Sequence, residues 1–220
     1  EGFTERDLQG WLEEIITAPL MQGGCLADIP LGHTLRESEF YFPMNSANSF
    51  ALAKLLTDHR NSYQGVRKQQ VQLTSRVQLP AYKKLKGMMH GFIDLVFCYQ
   101  GKYYVCDYKS SHLGDSFEDY QGPALIENIE KNYYDLQYLI YMLALHRYLK
   151  SVLPDYEPGK HLGGIYYLYL RGMTNDDNHR HCGVFYRRVD TKELALLDDI
   201  FNGCGSEQEA QALNGVSDVN

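Results

Sequence analysis

Apolar residues recur at helical spacing in the first stretch of the chain, at Leu8, Trp11, Leu12, Ile15 and Ile16, behind Thr4 as a capping residue and ahead of a stop near Pro19. This predicts a packing helix. The segment 21–32, with three glycines and Pro30, reads as a loop. The pattern then alternates over 34–44, with Phe40, Phe42 and Met44 on one face and Glu37, Glu39 and Tyr41 on the other. Pro43 marks that strand as an edge or as its end. A helix with Leu52, Leu55 and Leu56 as its stripe is predicted over 49–60, followed by a segment of weak periodicity. Two runs rich in β-branched and aromatic residues, 92–99 and 102–109, are separated only by Gln100-Gly101, a two-residue hairpin turn. Apolar residues on both faces of 88–110 place that hairpin in a central sheet covered by helices.

After a polar connection over 114–122, one long helix is predicted over about 124–149, burying Leu125, Ile129, Leu136, Leu139, Ile140, Leu143 and Ala144, with Pro154 and Pro158 marking its end. The tyrosine-dense segment 162–170 reads as a further central strand and 184–189 as the last one. Thr191 caps a final helix through Phe201. The expected fold is therefore α/β, one domain over 1–203 with a mixed central sheet flanked by helices, and a polar, disordered tail over 204–220.

The hairpin carries the candidate chemistry. If Tyr99 opposes Lys102, Asp94 lies across from Asp107, and Lys109, two residues beyond Asp107, shares their face. Opposed β-carbons lie roughly 4.5 to 5.5 Å apart, and like charges there are destabilising unless a cation neutralises them. Mg2+ or Mn2+ suits two carboxylates, and Lys109 adds a point charge for a phosphoryl oxygen. The competing reading is a solvated sheet edge with the lysine pairing the aspartates.

Charge distribution sharpens this. The 220 residues carry a net charge of -7, yet no acidic residue occurs between His59 and Ile93, where Arg60, Arg67, Lys68, Arg76, Lys83, Lys84 and Lys86 lead into the Asp94 strand. A basic approach to a metal site suits a polyanion. Beyond Lys192 there is neither Lys nor Arg. Five cysteines without a CxxC pair argue against a zinc ribbon, a disulfide scaffold or an iron-sulfur cluster, and read as reduced cytosolic thiols. No apolar run reaches membrane-spanning length, and no glycine-rich phosphate loop for ATP or G-x-S-x-G elbow occurs. His179 and His181 lie in a hydrophilic loop without neighbouring carboxylates on a rigid element, and do not read as a metal pair.

The ordered segments HGFIDLVF, GKYYVCDYKSSHLGD, YDLQYLIYMLALHRYL and HLGGIYYLYLRGM resemble the PD-(D/E)XK, restriction-endonuclease-like superfamily, and within it the RecB-type nuclease domains of RecBCD helicase-nucleases. The resemblance implies Asp94 and Asp107 as metal ligands with the main-chain carbonyl of Tyr108, and Lys109 as the catalytic lysine. It matches Gln137 and Tyr141, at i and i+4, to the Q-x-x-x-Y element. It further implies Mg2+-dependent hydrolysis of DNA, with Mn2+ or Ca2+ able to occupy the site, in a cytoplasmic assembly with RecC and RecD, an upstream ATP-driven helicase, and the recombinase RecA as a further partner. DNA contacts are expected from Lys83, Lys84 and Lys86.

One departure stands out. RecB-type nucleases use a histidine in an N-terminal G-T-x-x-H context as a further ligand, and the helix at 4–17 has no histidine. The expectation is a fragment that begins downstream of it. His33 does not match, while His90, Glu37 and Glu39 are secondary candidates near the site. An interaction module that docks on partner subunits or RecA, with an incomplete site, stays open as the second reading. A Cas4-like iron-sulfur nuclease is disfavoured by the cysteine spacing.

Overall fold

Gln100 and Gly101 reverse the chain because both adopt positive φ, +49° and +74°, the conformation a two-residue hairpin turn requires. In the computed structural model, which describes residues 4–62, 77–80 and 85–203, this turn joins β2 (Leu85–Tyr99) to β3 (Lys102–Lys109). Tyr99 pairs with Lys102 and Leu95 with Cys106, the expected register. β1 (Thr34–Ala47) lies antiparallel on the outer side of β2, so Pro43 sits in an edge strand that tolerates its missing N–H.

From β3 the chain crosses over through α3 (Gly122–Lys131), α4 (Tyr134–Val152) and the short α5 (Pro158–His161) to β4 (Leu162–Tyr169). That connection is long enough for β4 to run parallel to β3. β5 (Val184–Arg187) closes the described sheet in the order β1-β2-β3-β4-β5. All eight residues of β4 are buried, as a strand covered on both faces requires.

Two apolar layers cover the sheet. On one face, Leu55 and Leu56 of α2 (Ser49–Ser62), Leu139 and Leu143 of α4, and Leu197 and Phe201 of α6 (Thr191–Asn202) pack with Val105, Ile165 and Tyr167. On the other, Ile15 of α1 (Glu5–Thr17) and Ile29 join Phe97, Tyr104, Cys106, Tyr166 and Leu168. Among the described residues, no helix is long and apolar enough to cross a membrane.

Four expectations are corrected. The single helix over 124–149 is two helices, because Tyr133 adopts a left-handed conformation (φ +54°, ψ +30°) between α3 and α4. The Arg60 guanidinium lies 5.2 Å from the Tyr133 ring centroid and the Tyr133 hydroxyl donates to the Gln78 carbonyl, which offsets the cost of that conformation. α6 is capped by Asp190 rather than Thr191: the Asp190 carboxylate accepts from the Lys192 and Glu193 N–H groups. In α1, where Thr4 and Asp7 form the capping box, only Ile15 is buried, and Leu8, Leu12 and Ile16 remain exposed. The loop 21–32 contains 3-10 turns at Leu26–Asp28 and Leu31–His33.

Half-buried His146 on α4 sits 2.9 Å from the Tyr156 hydroxyl, and burial lowers its pKa below the ordinary 6.5. The unfolded chain therefore binds a proton more readily than the folded one, so stability falls as pH drops below about 6.5 towards the depressed folded value. Melting temperatures measured from pH 7.5 to 5 should show this decline, and it should be shallower in His146→Gln.

Candidate active site

Alternation along β3 turns Val105, Asp107 and Lys109 towards α4. Asp107 and Lys109 are only 5% and 8% exposed. Charges buried this deeply need partners, and Lys109 Nζ lies 2.7 Å from Asp107 Oδ2. Burial raises the Asp107 carboxyl above the usual carboxylate range, the Lys109 ammonium pulls it back, and the nearby Asp94 charge pushes it up again. Across the hairpin, Asp94 Oδ2 accepts the Tyr108 N–H at 2.9 Å, which ties the β2 carboxylate to the peptide between Asp107 and Lys109.

The pleat slips at this point. Ile93 and Val96, three apart on β2, both pack in the helix layer, and their partners on β1 are Ser38 and Leu35. Between the latter pair Glu37 takes φ +47°. The irregularity sits at Asp94, one residue along from Ile93, and a broken pleat next to a functional side chain is a way to re-aim it. Beside it, β1 and α4 enclose a cleft of about 470 Å3 lined by Phe40, Ile93, Val96, Ala144 and Tyr148 among others.

α4 supplies the opposite wall. Lys109 Nζ donates to Gln137 Oε1 at 3.0 Å, and Gln137 Nε2 donates to the Tyr141 hydroxyl at 3.0 Å. The i, i+4 spacing puts both side chains on one helix face, so Gln137 links Tyr141 to the lysine. Burial, then the Asp107 and Asp94 charges, push the Tyr141 hydroxyl up to about 12. The first turn of α4 also carries the fully buried Asp135, whose carboxylate receives the Arg60 guanidinium from α2; Arg60 also donates to the Glu130 carbonyl at 2.9 Å. Two aromatic residues complete the surroundings of Lys109: its Nζ lies 3.6 Å from the Tyr134 ring centroid and 4.5 Å from that of Tyr167.

Of the other candidates, Glu37 stands across from Asp94 on β1, between the pairs Arg36–Leu95 and Ser38–Ile93. His90 and Glu39 bond to each other at 2.9 Å, and His90 stacks on Tyr41 at an exposed surface. Glu37 and His33 are exposed. Lys86 is exposed on β2 eight residues before Asp94, roughly 26 Å along the strand. Lys83, Lys84, Arg67, Lys68, Arg76, Cys204 and the tail 204–220 lie outside the described residues. His179 stacks on Phe117, whereas His181 contacts the Pro19 carbonyl, so the two do not form a pair. Among the described residues no group of three or more His, Cys, Asp or Glu side chains is gathered as a metal cage. Two carboxylates on neighbouring strands, Asp94 and Asp107, with adjacent main-chain oxygen are donors of the kind that could hold a hard divalent cation retaining several waters.

A model of the PD-(D/E)XK nuclease superfamily matches residues 35–213. The chain belongs to the PD-(D/E)XK nuclease superfamily. The chain is 38% identical over 208 residues to RecBCD enzyme subunit RecB of Haemophilus influenzae, covering 91% of this chain and 15% of that protein. It is 34% identical over 209 residues to the subunit of the same name from Escherichia coli, covering 94% of this chain and 17% of the relative. A shorter match, 46% identical over 123 residues, is to RecBCD enzyme subunit RecB of Mycobacterium tuberculosis. The chain thus spans about a sixth of the length of these relatives.

Sequence reading missed Tyr134, Tyr167 and the Arg60–Asp135 pair. The only trace of the first two was the tyrosine density of 162–170 and the position of Tyr134 one helical turn before Gln137. Arg60→Met strands the Asp135 carboxylate without its guanidinium, and should destabilise the protein by about 3 kcal/mol in urea unfolding; a loss below about 1 kcal/mol would show that Asp135 is held by other groups.

Proposed function

We propose that this chain is the nuclease domain of a RecB-type subunit and hydrolyses DNA phosphodiester bonds with a divalent cation, Mg2+ in the first instance. The observation that carries the reading is the buried Asp107–Lys109 pair, 2.7 Å apart, beside Asp94 and against Gln137. The names of the relatives, RecBCD enzyme subunit RecB, support a RecBCD-type enzyme as the setting; the proposal extends this to a cytoplasmic enzyme of DNA repair and recombination with exonuclease V activity, RecC and RecD as partner subunits, and RecA as a further partner.

Asp94, Asp107 and the Tyr108 carbonyl would hold the cation. When bound, it would acidify a coordinated water and offset charge on the scissile phosphate. The raised pKa of Asp107 fits this role, because a carboxylate destabilised by burial and by a second carboxylate gains from an added positive charge. Lys109 donates to a phosphoryl oxygen as negative charge builds there, and Gln137 keeps its ammonium aimed.

The test is cleavage of linear duplex DNA with ATP, and of single-stranded DNA, by the intact protein. Asp94→Ala, Asp107→Ala and Lys109→Ala should each lower the rate by about 10³-fold or more; Asp107→Ala and Lys109→Ala, which leave a buried charge without its partner, should also lower the melting temperature, so rates are compared at a temperature where each variant is folded. A Lys109→Ala protein that cleaves at the parental rate would overturn the assignment.

A further inference from the structure

We propose that Tyr134 and Tyr167 are positioning residues for Lys109, forming an aromatic corner that fixes its ammonium while leaving one N–H free for the phosphate. The proposal rests on the reading of Lys109 as the phosphate-facing cation. Lysine is a poor choice where direction matters, since its four-carbon stem is flexible and its charge is a point. Something must hold it. Its ammonium has three N–H donors; Asp107 Oδ2 at 2.7 Å takes one and Gln137 Oε1 at 3.0 Å takes a second.

The rings do the remaining work. Tyr134 comes from the first turn of α4 and Tyr167 from β4; their centroids are 5.6 Å apart at an interplanar angle of 60°, which makes a corner. Lys109 Nζ sits in it, 3.6 Å and 4.5 Å from the two centroids. A ring face attracts a cation without offering a lone pair, so the corner holds the ammonium without consuming its third donor. The Tyr167 hydroxyl lies 2.8 Å from both Gln137 Oε1 and the Tyr134 carbonyl and shares its single proton between them. Because the ammonium and the phenol both require an acceptor, the Gln137 amide must turn its oxygen to Lys109 and its nitrogen to Tyr141, as observed. Tyr167 thus orients the glutamine as well as the lysine.

The experiment compares Tyr134→Leu, Tyr134→Phe, Tyr167→Phe and Lys109→Ala in the intact protein. It measures kcat and KM for DNA cleavage with Mg2+, DNA affinity with Ca2+ in its place, and melting temperature. Tyr134 is only partly buried, so its leucine variant should stay folded. Tyr134→Leu should lower kcat about tenfold with KM and DNA affinity within about twofold of the parent, and Tyr134→Phe, which keeps the ring face, should recover most of that loss. Tyr167→Phe keeps its ring but loses the hydroxyl, and should lower kcat about threefold. Equal rates in Tyr134→Leu and Tyr134→Phe, or a change confined to KM, would overturn the proposal while Lys109→Ala remains inactive. A fully active Lys109→Ala would instead overturn the underlying assignment of the lysine, and the proposal with it.

Discussion

A carboxylate and an ammonium buried together inside a sheet, Asp107 and Lys109 on β3, are the constraint on which the rest of the site depends. Neither charge survives at that depth alone, because desolvation of an unpaired ion costs several kcal/mol. The fold answers by crowding partners around them. Asp94 arrives from β2 through the tight hairpin, the Tyr108 peptide N–H ties it in place, α4 brings Gln137 and Tyr134 against the lysine, and β4 brings Tyr167. Each partner comes from a different element, so the site exists only when β2, β3, β4 and α4 are all in register.

The same crowding leaves an electrostatic deficit. Asp107 is disfavoured as an anion by burial and by Asp94, and Lys109 compensates only part of this. A site that is uncomfortable until another positive charge enters is well suited to chemistry on a phosphodiester, where a cation and a lysine must share the negative charge that develops. Arg60 of α2 and Asp135 in the first turn of α4 form a second buried pair, which ties the start of the helix carrying Gln137 to α2.

Much of this was legible in the residues. Gln100-Gly101 between two β-branched and aromatic runs determines the hairpin, and hairpin arithmetic gives its register as far as Leu95 and Cys106, next to which Asp94 bonds the Tyr108 N–H. The i, i+4 spacing was enough to pair Gln137 with Tyr141. What escaped depended on tertiary contacts. The break between α3 and α4 lies at Tyr133, a residue with no intrinsic preference for a left-handed conformation, held there by Arg60 and Gln78 from distant segments. The aromatic corner escaped for a related reason: Tyr134 and Tyr167 are 33 residues apart and meet only because β4 packs parallel to β3 beneath α4. The Asp190 cap was missed because Asp and Thr are both good caps and lie next to each other. In α1, periodicity identified the helix, but most of its apolar stripe stays exposed.

The most direct test of the central claim, that Asp94 and Asp107 form one cation site, is calorimetric titration of Mg2+ and Mn2+ into the intact protein and into Asp94→Asn, Asp107→Asn and the double variant. The parent should bind at one site that each single substitution weakens by tenfold or more and that the double variant lacks. Binding of equal stoichiometry and affinity in the double variant would contradict it.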